Sequence, residues 1–125
     1  MKKERIYNKL VRDRVPEIMK RDGYTPLIRH LDDDEYLYAL HEKLKEEMRE
    51  YMASRSMEEL ADVVEGINAI LLARGLNMEE LEKLRQMKAR TNGLFHDRVF
   101  LERVLAQEEA KEYEELLQED PVISN

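Results

Sequence analysis

The chain has no cysteine and no tryptophan, only two phenylalanines, three prolines and four glycines in 125 residues. Without cysteine, neither disulfides nor thiolate metal ligands are available. Aromatics make up 6% of the residues, too few for a β-sandwich, which draws on Val, Ile, Thr and ring side chains. No apolar run approaches the roughly 20 residues that span a bilayer. The opening MKKERIYNKL has no apolar stretch of the signal-peptide kind. These absences leave an all-α protein of one domain's length, with a cytoplasmic location and no membrane partner expected.

What is present is charge, at 39% of the residues, with a net of −7. It is unevenly spread. Residues 1–30 hold nine Lys/Arg against four Asp/Glu, residues 31–101 ten against sixteen, and residues 102–125 two against eight. An acidic chain lacks the phosphate-neutralising surface that duplex binding requires, so no duplex nucleic acid is expected. A basic N-terminal segment next to an acidic middle suits a small polyanion held with divalent cations.

The pattern along the chain is helical. Residues 9–22 form a short helix entered through Pro16 and closed by Gly23. Residues 24–31, YTPLIRHL, read as an extended connection. Asp32 to Asp34 offer caps for a helix over about 34–53, whose apolar positions are Leu37, Leu40, Leu44, Met48 and Tyr51. Ser56 and Glu59 stand in capping-box spacing for a helix over about 57–74, with Leu60, Val63, Val64, Ile67 and Leu71 on one face. Asn77 and Glu80 repeat that spacing for a helix over about 78–91. Residues 93–104 are ambiguous. An acidic helix over 106–118, stopped by Pro121, forms a C-terminal arm, so that the chain divides into a domain over 1–104 and an arm over 105–125.

Two acidic pairs stand out in KLKEEMREYMASRSMEELADVVEG, Glu47 with Glu50 and Glu59 with Asp62. At 100° per residue, each pair lies about 80–160° from the first residue of its helix's apolar stripe, on the same angular side. A link of about four residues, Ala53 to Ser56, forces the two helices into an antiparallel hairpin. The two pairs then fall on one side of it, Glu50 level with Glu59 and Glu47 level with Asp62. Rows about 4.5 Å apart by helix rise, across axes about 8–10 Å apart, let such side chains converge on a hard divalent cation. The competing reading is a solvated acidic face. Gly66 lies on the same flank and leaves room beside Asp62.

The spacing Glu46-Glu47-x-x-Glu50 followed by Glu59-x-x-Asp62 resembles the signature of the all-α nucleoside triphosphate pyrophosphohydrolases. That superfamily takes in MazG-like proteins, dimeric dUTPases and phosphoribosyl-ATP pyrophosphohydrolases. Tyr7 to Met19, YNKLVRDRVPEIM, and Gly93 to Leu101, GLFHDRVFL, are similar to the opening and closing motifs of one small MazG-like branch. The resemblance implies a MazG-like helical bundle completed by oligomerisation into a homodimer or homotetramer. It implies hydrolysis of a nucleoside triphosphate at the α–β bond, in the service of nucleotide-pool housekeeping. Mg²⁺, with Mn²⁺ as the alternative ion, would be held by Glu47, Glu50, Glu59 and Asp62, and Glu46 would orient or deprotonate the attacking water. Lys43, one turn before Glu47, is the foremost phosphate contact, with Lys9 and Arg12 in the opening motif and Lys88, Arg90 and Arg98 around the closing one. Where the branch has Arg-Gly-Gly-Phe this chain has Asn92-Gly93-Leu94-Phe95, and Arg90 stands in for the missing arginine. Two alternatives stay open: phosphoribosyl-ATP as the substrate, or a non-catalytic helical oligomer that binds nucleotide or a protein partner. The three histidines have no zinc spacing, and no P-loop or nucleophile elbow is present.

Overall fold

A computed structural model describes residues 4–119. Among these the regular structure is entirely helical: α1 (Val15–Arg21), α2 (Asp33–Ser54), α3 (Met57–Ala73), α4 (Met78–Asn92) and α5 (Gln107–Glu119). Pro121 lies outside the described residues. None of these helices is long and apolar enough to cross a membrane.

Local chemistry explains each boundary. Pro16 occupies the first turn of α1, where a missing N–H costs nothing, and Lys20 and Arg21 face the negative end of the helix. The Asp32 carboxylate accepts the Glu35 N–H at 2.8 Å, and Glu35 accepts the Asp32 N–H in return. That complete capping box starts α2, reinforced by Asp33 and Asp34 in the first turn. The helix ends at Arg55, which takes a left-handed φ of 58° and donates its Nε–H to the Met52 carbonyl. Ser56 then caps α3 by accepting the Glu59 N–H at 3.2 Å. At the far end, Gly75 has φ 76°, a conformation that side-chain-bearing residues adopt at a cost, and the Leu76 N–H turns back to the Leu71 carbonyl. Asn77 caps α4 through the Glu80 N–H at 2.9 Å.

Two compact units divide the chain, one ending at Met87 and the other beginning at Lys88. In the first, the packing is that of α2 against α3. Only two residues, Arg55 and Ser56, separate these helices, because Ala53 and Ser54 remain helical where four linking residues were expected. Leu40 is the buried hydrophobic side chain of the described residues, and Gly66 is buried on α3. A side-chain carbon added at Gly66 would stand 3.4 Å from Leu44 Cδ1, so the glycine gives space to α2 and not to Asp62. Leu37, Leu44 and Tyr51 on α2 and Val63, Ile67 and Leu71 on α3 are half-buried. Met48, Met52, Met57, Leu60 and Val64 remain exposed. The second unit holds an irregular stretch from Gly93 to Ala106, then α5, with the Arg103 guanidinium over the Tyr113 ring.

Candidate metal centre

Helix α2 delivers Lys43, Glu46, Glu47 and Glu50 at spacings that keep them along one side, and the first turns of α3 deliver Glu59 and Asp62. Carboxylate oxygens of Glu47, Glu50 and Glu59 lie within 4.8 Å of one another. Glu47 is 7% exposed, an uncommon position for a glutamate. Its Oε1 lies 3.2 Å from Lys43 Nζ. Its Oε2, and the Oε2 of Glu59, are buried without a hydrogen-bond partner.

Glu59 holds a proton far more tightly than a free glutamate, with its pKa pushed up to about 7. Burial is the largest cause, followed by the charge of Glu50 and then by the nearness and charge of Glu47. The same placement explains a difference at the start of α3. Ser56 and Glu59 have the spacing of a reciprocal capping box, but only the Glu59 backbone takes part. Its carboxylate is turned instead toward Glu47 and Glu50.

Asp62 is outside that converged trio. Its Oδ1 pairs with Arg12 Nη2 at 2.5 Å. Glu46 accepts from Lys9 Nζ at 2.8 Å and lies 3.5 Å from Lys43 Nζ. The Lys9 hydrogen bond is the main reason the Glu46 carboxyl sits below the usual carboxylate range, with Lys43 adding to it against the opposing effect of burial. Lys9 is raised in turn, first by its bond to Glu46. Lys9, Arg12 and Lys43 are therefore all brought to the carboxylates. Lys88, Arg90 and Arg98 belong to the second unit and make no ion pair among the described residues.

Lys9 and Arg12 precede α1 on a segment with no helical periodicity, so periodicity could not place them beside α2 and α3. The available signal was bulk charge, a basic start followed by an acidic middle. Chemically, the trio offers hard anionic oxygens, two of them buried and unsatisfied. That donor set suits Mg²⁺ or Mn²⁺ better than a softer ion. A divalent cation would relieve both the repulsion and the desolvation that raise Glu59.

No protein-family model matches the chain, and no solved structure matches it. A protein of Mycolicibacterium smegmatis (strain ATCC 700084 / mc(2)155), described as uncharacterized, is 56% identical over 45 residues, which are 36% of this chain and 46% of that protein. The chain thus spans under half the length of the curated relative it matches.

Proposed function

We propose that this chain is a MazG-like, Mg²⁺-dependent nucleoside triphosphate pyrophosphohydrolase. Water adds to a phosphorus at the α–β bridge, the bridging P–O bond breaks, and a monophosphate and pyrophosphate leave with one proton released. The carrying observation is the buried, unpartnered Glu47 oxygen beside Glu50 and Glu59. A folded chain holds such a group where something outside the chain satisfies it.

Glu47, Glu50 and Glu59 would hold the cation, with Asp62 as a fourth ligand once its arginine is drawn away. The ion, when bound, shields polyphosphate charge and makes the attacked phosphorus more electrophilic. Lys43 is anchored between Glu46 and Glu47, where its ammonium can meet a phosphate oxygen at the edge of the carboxylates. Glu46 is held ionised by two ammonium groups, which fits it to accept a hydrogen bond from water and orient it. A stronger base is obtained there only when Lys9 moves off.

Read as an antiparallel hairpin, α2 and α3 set Leu44 against Gly66 and Glu47 and Glu50 beside Glu59, numbers falling along one helix as they rise along the other. On α2, Met48 and Met52 lie round the helix from the acidic residues and stay exposed, as do Met57, Leu60 and Val64 on α3. With Leu40 as the buried hydrophobic side chain of the described residues, that apolar surface is left for further copies to cover, which supports a homodimer or homotetramer.

The test is pyrophosphate release from a panel of common and modified NTPs and dNTPs, with Mg²⁺ and then with EDTA. Metal-dependent release, with the matching monophosphate, is the expected result, and the ranking names the preferred base and sugar. Absence of release from a folded oligomer across the panel sinks the assignment in favour of a binding protein.

A further inference from the structure

The segment before α1 spans both helices of the site. Arg12 reaches Asp62, fifty residues away on α3, and Lys9 reaches Glu46, thirty-seven residues away on α2. Asp62 is three residues beyond Glu59 on α3, yet its carboxylate is paired with Arg12 while the other three carboxylates meet.

Resting on the reading of those three glutamates as a metal centre, we propose that Lys9 and Arg12 are exchangeable counter-ions. They hold Glu46 and Asp62 while the site lacks substrate, and they pass to the phosphates of an incoming polyphosphate, which frees Asp62 to complete the metal's ligand set. Binding of polyphosphate and of metal is thereby coupled, each tightening the other, as linkage requires.

Three properties of the pairs carry this. The cations are the more exposed members of both pairs, Arg12 at 55% and Lys9 at 43% of side-chain area against 38% for Asp62 and 22% for Glu46, and a cation that stays in contact with solvent can change partners at modest cost. A guanidinium presents the same fork of N–H donors to phosphate as to carboxylate. Lys43, by contrast, is mostly shielded and shares α2 with both of its partners, so it stays in place through the exchange. The fixed cation and the two mobile ones thus have separate work, one marking the site and two responding to what enters it.

Binding of Mn²⁺ alone, followed by calorimetry or by electron paramagnetic resonance, tests the exchange on the full chain. Without Arg12 to compete, Arg12→Gln is expected to bind bare Mn²⁺ about two- to fivefold more tightly, the range set by an exposed ion pair. Magnesium pyrophosphate should bind that variant about tenfold more weakly, since it loses a charged hydrogen bond. Arg12→Lys, which keeps the charge but not the fork, should bind Mn²⁺ like the parent chain and magnesium pyrophosphate more weakly. A general effect of removing one positive charge would tighten Mn²⁺ equally well with Asp62→Asn. The exchange requires the gain to vanish in the double variant Arg12→Gln/Asp62→Asn. A gain that persists there, or an Arg12→Gln that binds Mn²⁺ no better, overturns the proposal. If the parent chain and Glu47→Gln bind Mn²⁺ alike, the metal centre itself is wrong and the exchange falls with it. Circular dichroism on each variant checks that the helices are retained.

Discussion

Replacing Glu47 by glutamine separates a structural glutamate from a ligand, because the loss of a ligand costs stability only when metal is present. The side chain is 7% exposed, with Oε1 against Lys43 at 3.2 Å and Oε2 without a partner. In the metal-free protein, the substituted amide keeps an acceptor for Lys43 and gains N–H donors beside Glu50 and Glu59. It removes a buried unsatisfied oxygen, worth about 1–3 kcal/mol, and exchanges a mostly shielded ion pair for a hydrogen bond from the same ammonium to a neutral oxygen, a loss of about 1–2 kcal/mol. Lys43 also retains Glu46 at 3.5 Å. The two effects nearly offset, so Glu47→Gln is expected to leave the metal-free fold about as stable as before, to within about 1 kcal/mol.

With metal the two proteins separate. At a free Mg²⁺ concentration of about 100 times Kd, the parent chain gains about 2.7 kcal/mol by mass action. For 125 residues at about 2.1 cal/mol/K each, that gain raises Tm by about 10 °C. A hundredfold loss of affinity in Glu47→Gln leaves about 0.4 kcal/mol, a shift under about 2 °C. Thermal melts of both proteins, in EDTA and across a Mg²⁺ titration at one fixed protein concentration, measure all four quantities. The reasoning is refuted if Glu47→Gln keeps the full metal-dependent shift, or if it melts many degrees below the parent in EDTA.

Two further predictions use other residues of the α2–α3 pair. Glu59 is raised to about 7 from 4.5, so the metal-free folded state carries a proton that the unfolded chain releases near 4.5. Its contribution to stability is present below about pH 4.5 and is lost as pH rises through 7; melts in EDTA from pH 5 to 8 should show that fall, and Glu59→Gln should flatten it. Gly66→Ala places its methyl at ordinary contact distance from Leu44 and removes a mid-helix glycine. It should stabilise the protein by about 0.5–1 kcal/mol; a lower Tm would show that α2 and α3 cannot admit even that carbon.

Most of the helical layout is legible in short-range chemistry. Asp32, Ser56 and Asn77 each accept the backbone N–H three residues on, and each stands where its side chain and spacing suggest. The side on which Glu47, Glu50 and Glu59 meet follows from 100° steps around two helices joined by a short link. Three features escape that reasoning. Arg55 takes a left-handed conformation that its type does not advertise, which lets α2 run through Ser54 and shortens the link to two residues. Periodicity says which face of a helix is apolar but not what covers it, so Met48, Leu60 and Val64 share stripes with half-buried neighbours while staying exposed. The third is the reach of Lys9 and Arg12, a tertiary contact made by a segment without a repeating pattern.

The balance of charge around α2 and α3 favours the proposed ligand set over an acidic surface. Five carboxylates, Glu46, Glu47, Glu50, Glu59 and Asp62, face three cations, Lys9, Arg12 and Lys43. The excess is two negative charges when all are ionised, the charge of one Mg²⁺. Its location matters more than its size. The cations engage Glu46, Asp62 and one oxygen of Glu47 and leave the other Glu47 oxygen, Glu50 and Glu59, the groups that converge. Helix α5 supplies the contrast within the same chain. It carries six glutamates in thirteen residues, more acid per turn than α2, yet no three of them bring oxygens together among the described residues. Those of α5 whose side chains are described are exposed and solvated separately, so their repulsion is relieved by water and salt. At Glu47 and Glu59 water is excluded from an oxygen of each, and the proton on Glu59 near neutral pH is the chain's own partial answer. A divalent cation would be the fuller one, compensating all three carboxylates at once and releasing that proton on binding.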